Sequence, residues 1–120
     1  MPGIALVTGA NKGIGLEVAR QLTRRGWRVF LTGRSFPSVQ RAASSLGPSV
    51  VPVPLDVTSR ISIEAAFSAT SQAVTHLDVL INNAGVLDHD EGSIFELRPE
   101  RLRRMFETNT IGALLVSQTF

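Results

Sequence analysis

The sequence predicts an α/β protein in which a doubly wound parallel sheet carries helices on both faces. Apolar runs typical of buried strands alternate along the chain with segments whose apolar residues recur at helical spacing. This βαβαβαβα order requires parallel strands joined by right-handed crossovers. Pro52 and Pro54 in the third apolar run cannot donate to a ladder, which predicts an edge strand and fits the strand order 3-2-1-4.

Four short runs are predicted to be strands, and the first of them is nearly all apolar, as in a strand buried on both faces. They cover residues 3–9, 28–33, 49–57 and 77–85. The third run contains "VPVP", for which a polyproline partner motif is the alternative interpretation. Flanking valines and the αβ alternation favour a strand.

Helices are predicted between these strands because apolar residues recur there at helical spacing and because residues typical of helix ends flank the segments. The first begins at Gly13 and ends at "RRGW", where cations precede a glycine cap. A short helix covers 37–46, and a third runs from about Ile61 to Thr75. After a polar loop at 86–98, the last helix opens with Pro99 in a favourable first position.

Composition narrows the class of protein. With 120 residues, 43% hydrophobic and 18% charged, the chain has the make-up of an ordinary globular domain. No apolar run approaches the ~18 residues of a membrane span, and no basic region at the N-terminus suggests a signal peptide. The absence of cysteine excludes disulfides and thiolate chemistry and fits a reducing compartment, so we expect a cytoplasmic protein.

The charge balance argues against a nucleic-acid partner. The formal net charge is only +2, and the high calculated pI follows from a sequence with one lysine, no tyrosine and no cysteine. The densest basic group, "RLRR" at 101–104, has glutamates around it and is typical of a solvated helix face.

The stretch "TGANKGIG" at 8–15 stands between the first strand and the first helix. Glycines at such a turn let the backbone approach a phosphate, and the helix N-terminus offers free N–H groups. The spacing differs from the GxGxxG fingerprint, and a plain βα turn is the alternative. Because other features stand in register with it, nucleotide binding is favoured.

The spacing of these glycines matches the signature of a known protein family. Thr8, Gly9, Gly13 and Gly15 match the TGxxxGxG signature, and the sequence resembles short-chain dehydrogenase/reductases, especially carbonyl-reductase-like members. "LDV", "NNAG" and "TNTIG" extend the resemblance over the whole chain in order. It implies a Rossmann-type fold and makes residues 1–120 the N-terminal dinucleotide-binding part of one domain, cut before a fifth strand. It also implies hydride transfer between a nicotinamide cofactor and a carbonyl or alcohol substrate.

The second strand indicates which cofactor is used. An NAD enzyme needs a carboxylate at its end, whereas NADP requires a cation there. Here the strand ends with Gly33 and is followed by Arg34, and the single lysine, Lys12, lies in the glycine loop. Either cation alone is typical of solvated surface, but together with the missing acid they predict NADP(H).

The resemblance gives further cofactor contacts. It assigns Asp56 to the adenine ring, although capping of the following turn is an alternative that does not exclude this. Asn82 is expected to tie strands together. The predicted cofactor-binding residues are Gly9, Asn11, Lys12, Gly13, Ile14, Gly15, Arg34, Asp56, Val57, Asn83, Ala84 and Gly85.

In the last helix Asn109 falls on the apolar stripe. The stripe comprises Leu102, Met105, Phe106, Gly112, Ala113, Val116 and Phe120. A buried polar side chain costs about 1–3 kcal/mol unless it is bonded, so Asn109 needs a partner. A structural bond to backbone is one interpretation. The resemblance gives another, in which Asn109 is the tetrad asparagine that holds a water in the proton relay.

The resemblance also implies groups that the sequence lacks. The family's general acid is the tyrosine of a Tyr-x-x-x-Lys pair, preceded by a serine on the fifth strand, and this sequence contains no tyrosine. We therefore expect no turnover by this chain alone.

The alternative is a catalytically dead nucleotide-binding or protein-interaction module. A homo-oligomer through the last helix is a further hypothesis. "LDHDE" at 87–91 is interpreted as loop rather than as a metal site.

Overall fold

The computed structural model describes residues 2–86 and 93–120, and in these ranges strands and helices alternate as predicted. The strands are β1 (Ile4–Val7), β2 (Arg28–Gly33), β3 (Val50–Pro54) and β4 (Val79–Ile81). The helices are α1 (Gly13–Arg24), α2 (Phe36–Leu46), α3 (Arg60–Ala73), α4 (Pro99–Phe106) and α5 (Ala113–Thr119). A short 3-10 turn covers Ile94–Glu96, and a π-helical turn, Glu107–Gly112, joins α4 to α5.

The four strands form one parallel sheet in the order β3-β2-β1-β4, which confirms the predicted topology. Leu6 at the centre stands between Phe30 on β2 and Leu80 on β4. Pro52 and Pro54 lie on the edge strand, paired with Leu31 and Gly33. The polyproline interpretation of this segment was therefore wrong, because the prolines form part of a ladder.

Two apolar layers sandwich the sheet. On one face, β1 and β2 side chains such as Val7 and Leu31 pack with Val39 of α2 and Ala19 of α1. On the other face, a cluster forms among Leu6, Phe30, Val53, Leu55, Val57, Ile63, Ala66 and Val116. Burial on both faces explains why the strands read as continuous apolar runs rather than as alternating ones.

Three predicted strands are too long at their C-terminal ends. Residues 8–9, 55–57 and 82–85 lie beyond the strand ends, although apolar and small residues continue through them. All these segments emerge at the carboxyl edge of the same parallel sheet, where open α/β folds bind ligands.

The helix starts differ in how they are capped. Ser35 and Ser59 cap α2 and α3 through side chains that accept from the N–H of Ser38 and Ser62. Helix α1 follows Lys12, whose side chain makes no cap, and its first turn holds no acidic residue. The first N–H groups of α1 therefore remain available to another acceptor.

The last helical region differs from the predicted single α-helix. Its π-helical turn widens the helix by one residue per turn, so side chains before and after the turn do not share one face. Gly112 and Val116 are buried as predicted, whereas Phe106 is 56% exposed. Asn109 is exposed as well, so its predicted burial was wrong.

Two further findings concern the chain outside the sheet. The "LDHDE" segment at 87–91 lies outside the described residues, and the 3-10 turn occupies part of the predicted 86–98 loop. Among the helices that the structure describes, none has the length and apolar character needed to cross a bilayer.

Candidate functional site

A groove of about 330 Å³ runs along the carboxyl edge of the sheet. Its walls come from the loops that follow all four strands and from the π-helical turn. The lining residues are Gly9, Asn11, Lys12, Gly13, Ile14, Gly33, Arg34, Leu55, Asp56, Val57, Thr58, Asn83, Ala84, Gly85, Val86 and Thr108.

The glycine loop turns tightly at Gly9, which has a φ of 59°. A Cβ at this position would stand 2.7 Å from the Ala84 Cα, so no larger residue fits without moving backbone. The next residue is fixed to β2, since the Ala10 N–H donates to the Thr32 carbonyl at 2.8 Å. The loop is thus held against the sheet while its outer side faces the groove.

The uncapped N-terminus of α1 opens onto this groove beside Lys12 and Ile14. Free N–H groups and the positive end of the helix dipole favour a bound anion, and the exposed Lys12 adds a full charge. Ile14 is 77% exposed and gives this otherwise polar end an apolar surface. The local chemistry fits a phosphate joined to a less polar group.

Thr8 joins the glycine loop to the segment after β4. Its hydroxyl oxygen accepts from the N–H groups of Asn83 and Ala84 at 3.0 and 2.9 Å. In return, the Asn83 side-chain amide donates to the Gly9 carbonyl at 3.1 Å. Because Thr8 is only 1% exposed, these bonds are shielded from water, and the two loops form one unit.

Asn82 bonds to a helix rather than to another strand. Its side-chain amide donates to the Ser117 hydroxyl at 3.0 Å, and that hydroxyl donates to the Ala113 carbonyl. The prediction that Asn82 ties strands together was wrong, because the link runs from the end of β4 to α5.

Asp56 caps the turn after β3, as the alternative interpretation held. One carboxylate oxygen accepts from the hydroxyl and the N–H of Thr58, at 2.7 and 2.9 Å. The Thr58 hydroxyl lowers the pKa of the Asp56 carboxyl; the Thr58 N–H and the charge of Arg34 act in the same direction, while partial burial opposes them. Asp56 therefore presents a stable negative charge to the groove.

This lowered pKa predicts a stability that depends on pH. The ionised Asp56 is favoured in the folded state, so its contribution is complete above the ordinary carboxyl pKa of about 3.9 and is lost as pH falls towards the folded pKa. In urea titrations between about pH 6 and pH 3, the stability advantage over Asp56→Asn is expected to shrink below about pH 4. Thr58→Val keeps the carboxylate but should weaken this pH dependence; an unchanged profile would contradict the assignment.

Asn109 bonds to the backbone on the rim of the groove. Its Oδ1 accepts from the Val86 N–H at 2.7 Å and its Nδ2 donates to the Val86 carbonyl at 2.8 Å. The prediction of a structural bond to backbone is thereby confirmed, although the residue is exposed rather than buried. Its role in a proton relay stays a prediction.

The predicted cofactor residues converge on one place. All of them except Gly15 line the groove; Gly15 lies beneath the loop, where a Cβ would stand 2.5 Å from the Asn83 amide nitrogen. Their roles towards a cofactor stay predictions. No group of three acidic or histidine side chains that could hold a metal occurs within 2–86 and 93–120.

Some residues of this site were not predicted. Thr58, Val86 and Thr108 line it, and the buried hydroxyl of Thr8 fastens it. The sequence did hold a signal for Thr8 and Thr58. Thr8 directly follows the apolar residues of the first strand, and Thr58 stands in the turn after the third. Val86 and Thr108 carry no such signal, since Thr108 lies in the π-helical turn and Val86 is bonded to Asn109 of that turn.

Comparison with known proteins gives one consistent result. The short chain dehydrogenase family model matches residues 3–120. A putative ketoacyl reductase of Streptomyces coelicolor is 37% identical over 118 residues, which are 96% of this chain and 44% of that protein. Galactitol 2-dehydrogenase of Agrobacterium fabrum is 31% identical over 113 residues, covering 94% of this chain and 43% of the relative.

Solved structures agree with the sequence relatives. A variant of actinorhodin polyketide ketoreductase with NADPH is 36% identical, with a TM-score of 0.90 over 98% of this chain and 46% of its own. The 3-ketoacyl-(acyl-carrier-protein) reductase from Brucella melitensis complexed with NADH is 28% identical, with a TM-score of 0.90 over 97% and 47%. The chain spans less than half the length of these proteins. It belongs to the short-chain dehydrogenase family of oxidoreductases.

Proposed function

We propose that this chain is the NADP(H)-binding part of an oxidoreductase that transfers hydride between nicotinamide and a carbonyl or alcohol carbon. The observation that carries the proposal is the groove at the carboxyl edge of the sheet, where an uncapped helix N-terminus meets two cationic side chains. A nicotinamide cofactor would supply the hydride, and the residues of this chain would bind and orient it.

The groove offers a distinct chemistry for each part of such a cofactor. The loop at Gly9 and the first turn of α1 suit the pyrophosphate, because backbone N–H groups face the groove without a side-chain cap. The Asp56 carboxylate uses one oxygen on Thr58, which leaves the other to accept from an adenine amino group. Val57 adds an apolar wall beside it.

NADP(H) is proposed over NAD(H) on the charges at the end of β2. Gly33 provides no carboxylate for a ribose diol, while Arg34 and Lys12 line the same groove and are both exposed. The two solved relatives hold NADPH and NADH respectively, so these side chains, rather than the relatives, favour NADP(H). A 2′-phosphate would be bound by both cations.

The proposal further includes a cytoplasmic location, a small-molecule substrate, and cofactor binding without turnover by this chain alone. The sequence contains no tyrosine to act as the family's general acid. Binding, rather than catalysis, is therefore the property to measure.

Neutralising Arg34 is expected to weaken NADPH binding about tenfold, because one charge-assisted bond to phosphate is lost. NADH binding by Arg34→Gln should change less than about twofold, since NADH lacks the 2′-phosphate. Fluorescence titration of both cofactors with the wild type and the variant gives the four dissociation constants.

Arg41→Gln is the matched control. Arg41 is an exposed arginine on α2 that does not line the groove, so its removal should leave both affinities unchanged. A wild type that binds NADPH and NADH equally well would refute the NADP(H) assignment, and one that binds neither would refute the proposed function.

A further inference from the structure

The end of β2 is closed to larger residues by packing from neighbouring side chains. Gly33 is buried, and a Cβ at this position would stand 2.9 Å from Val39 Cγ1 and 3.2 Å from Asn11 Oδ1. The first distance is shorter than carbon atoms tolerate, so a side chain here requires a neighbour to move. Position 33 is also the place where an acidic side chain would contact the ribose diol of NAD.

The two neighbours differ in how easily they move. Asn11 is partly exposed, and its oxygen lies at the end of a rotatable side chain in the glycine loop. Val39 is fully buried in α2, where a β-branched side chain is confined almost to one rotamer. Val39 also packs in the cluster that holds Val29 and Leu31, so it cannot withdraw into empty space.

We propose that Val39, a core residue that does not line the groove, is a specificity-determining residue of the cofactor site. It excludes an acidic side chain from position 33, and thereby keeps a carboxylate away from the place of the 2′-phosphate. This inference rests on the proposed function. It means that packing inside the core keeps an acidic residue from replacing Gly33, while Lys12 and Arg34 supply the charges that favour NADP(H).

Three variants test the inference: Gly33→Asp, Val39→Ala and the double variant. Gly33→Asp alone should lower Tm by about 5 °C and improve NADH affinity less than about threefold. In the double variant, the space left by Val39→Ala should accept the new side chain. We expect its Tm to be at least that of Gly33→Asp, and its NADH affinity to rise about tenfold or more.

Gly33→Ala is the matched control, because it adds the Cβ without charge and should lower Tm about as much as Gly33→Asp. If Gly33→Asp alone gains tight NADH binding at unchanged Tm, the inference is overturned while the proposed function stands. The inference is equally overturned if the two substitutions lower Tm additively and the double variant gains no NADH affinity. A wild type that binds neither cofactor overturns the proposed function together with this inference.

Discussion

Replacing Gly9 with alanine is expected to lower the free energy of unfolding by about 2–5 kcal/mol. Two costs combine at this position. The φ of 59° lies in the left-handed region, which costs an alanine about 1–2 kcal/mol. The added methyl would also stand 2.7 Å from the Ala84 Cα, and backbone cannot move aside as a side-chain end can. Urea denaturation measures the loss.

Gly13→Ala separates these two costs. Gly13 has a nearly equal φ of 63°, but no described heavy atom lies within 4 Å of a Cβ placed there. Its replacement should therefore cost only the conformational term of about 1–2 kcal/mol. Equal losses for the two variants would show that the approach of Ala84 to Gly9 contributes nothing to stability.

Replacing Thr8 with valine is expected to cost about 2–3 kcal/mol, because a shape-matched methyl cannot accept hydrogen bonds. The substitution removes the Thr8 hydroxyl oxygen, which accepts hydrogen bonds from the N–H groups of Asn83 and Ala84. The Asn83 N–H retains a bond of 3.1 Å to the Ile81 carbonyl, so most of the expected cost falls on Ala84. The free energy of unfolding and NADPH affinity should fall together, because the joined loops line the groove.

Two hydroxyl variants control this experiment. Thr8→Ser keeps the acceptor and should retain most of the stability. Thr23→Val removes a hydroxyl that only donates to the Ala19 carbonyl within α1, so it should cost less than about 1 kcal/mol. A Thr8→Val protein as stable as Thr23→Val would contradict the role given to the Thr8 oxygen.

Much of the fold could be predicted because its rules are local. Apolar runs mark the strands, and Pro52 and Pro54 mark the third strand as an edge strand. The doubly wound topology with its third strand at the edge then gives the order β3-β2-β1-β4. The π-helical turn at Glu107–Gly112 could not be predicted in this way. Helical periodicity continues through "ETNTIG", and the bond that accompanies the turn joins Asn109 to Val86, 23 positions earlier.

The same distinction holds for the site. Its backbone parts were predictable, because a glycine loop between strand and helix is read from a few adjacent residues. The side-chain partners were not, since they depend on packing between distant elements: Asn82 meets Ser117 on α5, and Val39 fills the space beside Gly33. The resemblance supplied positions for the motif residues but no information about these contacts.

The hydrogen bonds of Thr8 have a consequence for folding kinetics. They join residues 75 and 76 positions apart, so the groove cannot form from local structure alone. Such contacts require a long loop to close first, which slows folding. A ligand that binds only the joined loops would stabilise the pairing of β1 with β4 by mass action. Cofactor fluorescence during refolding would then report when β1 pairs with β4, the first and last strands along the chain.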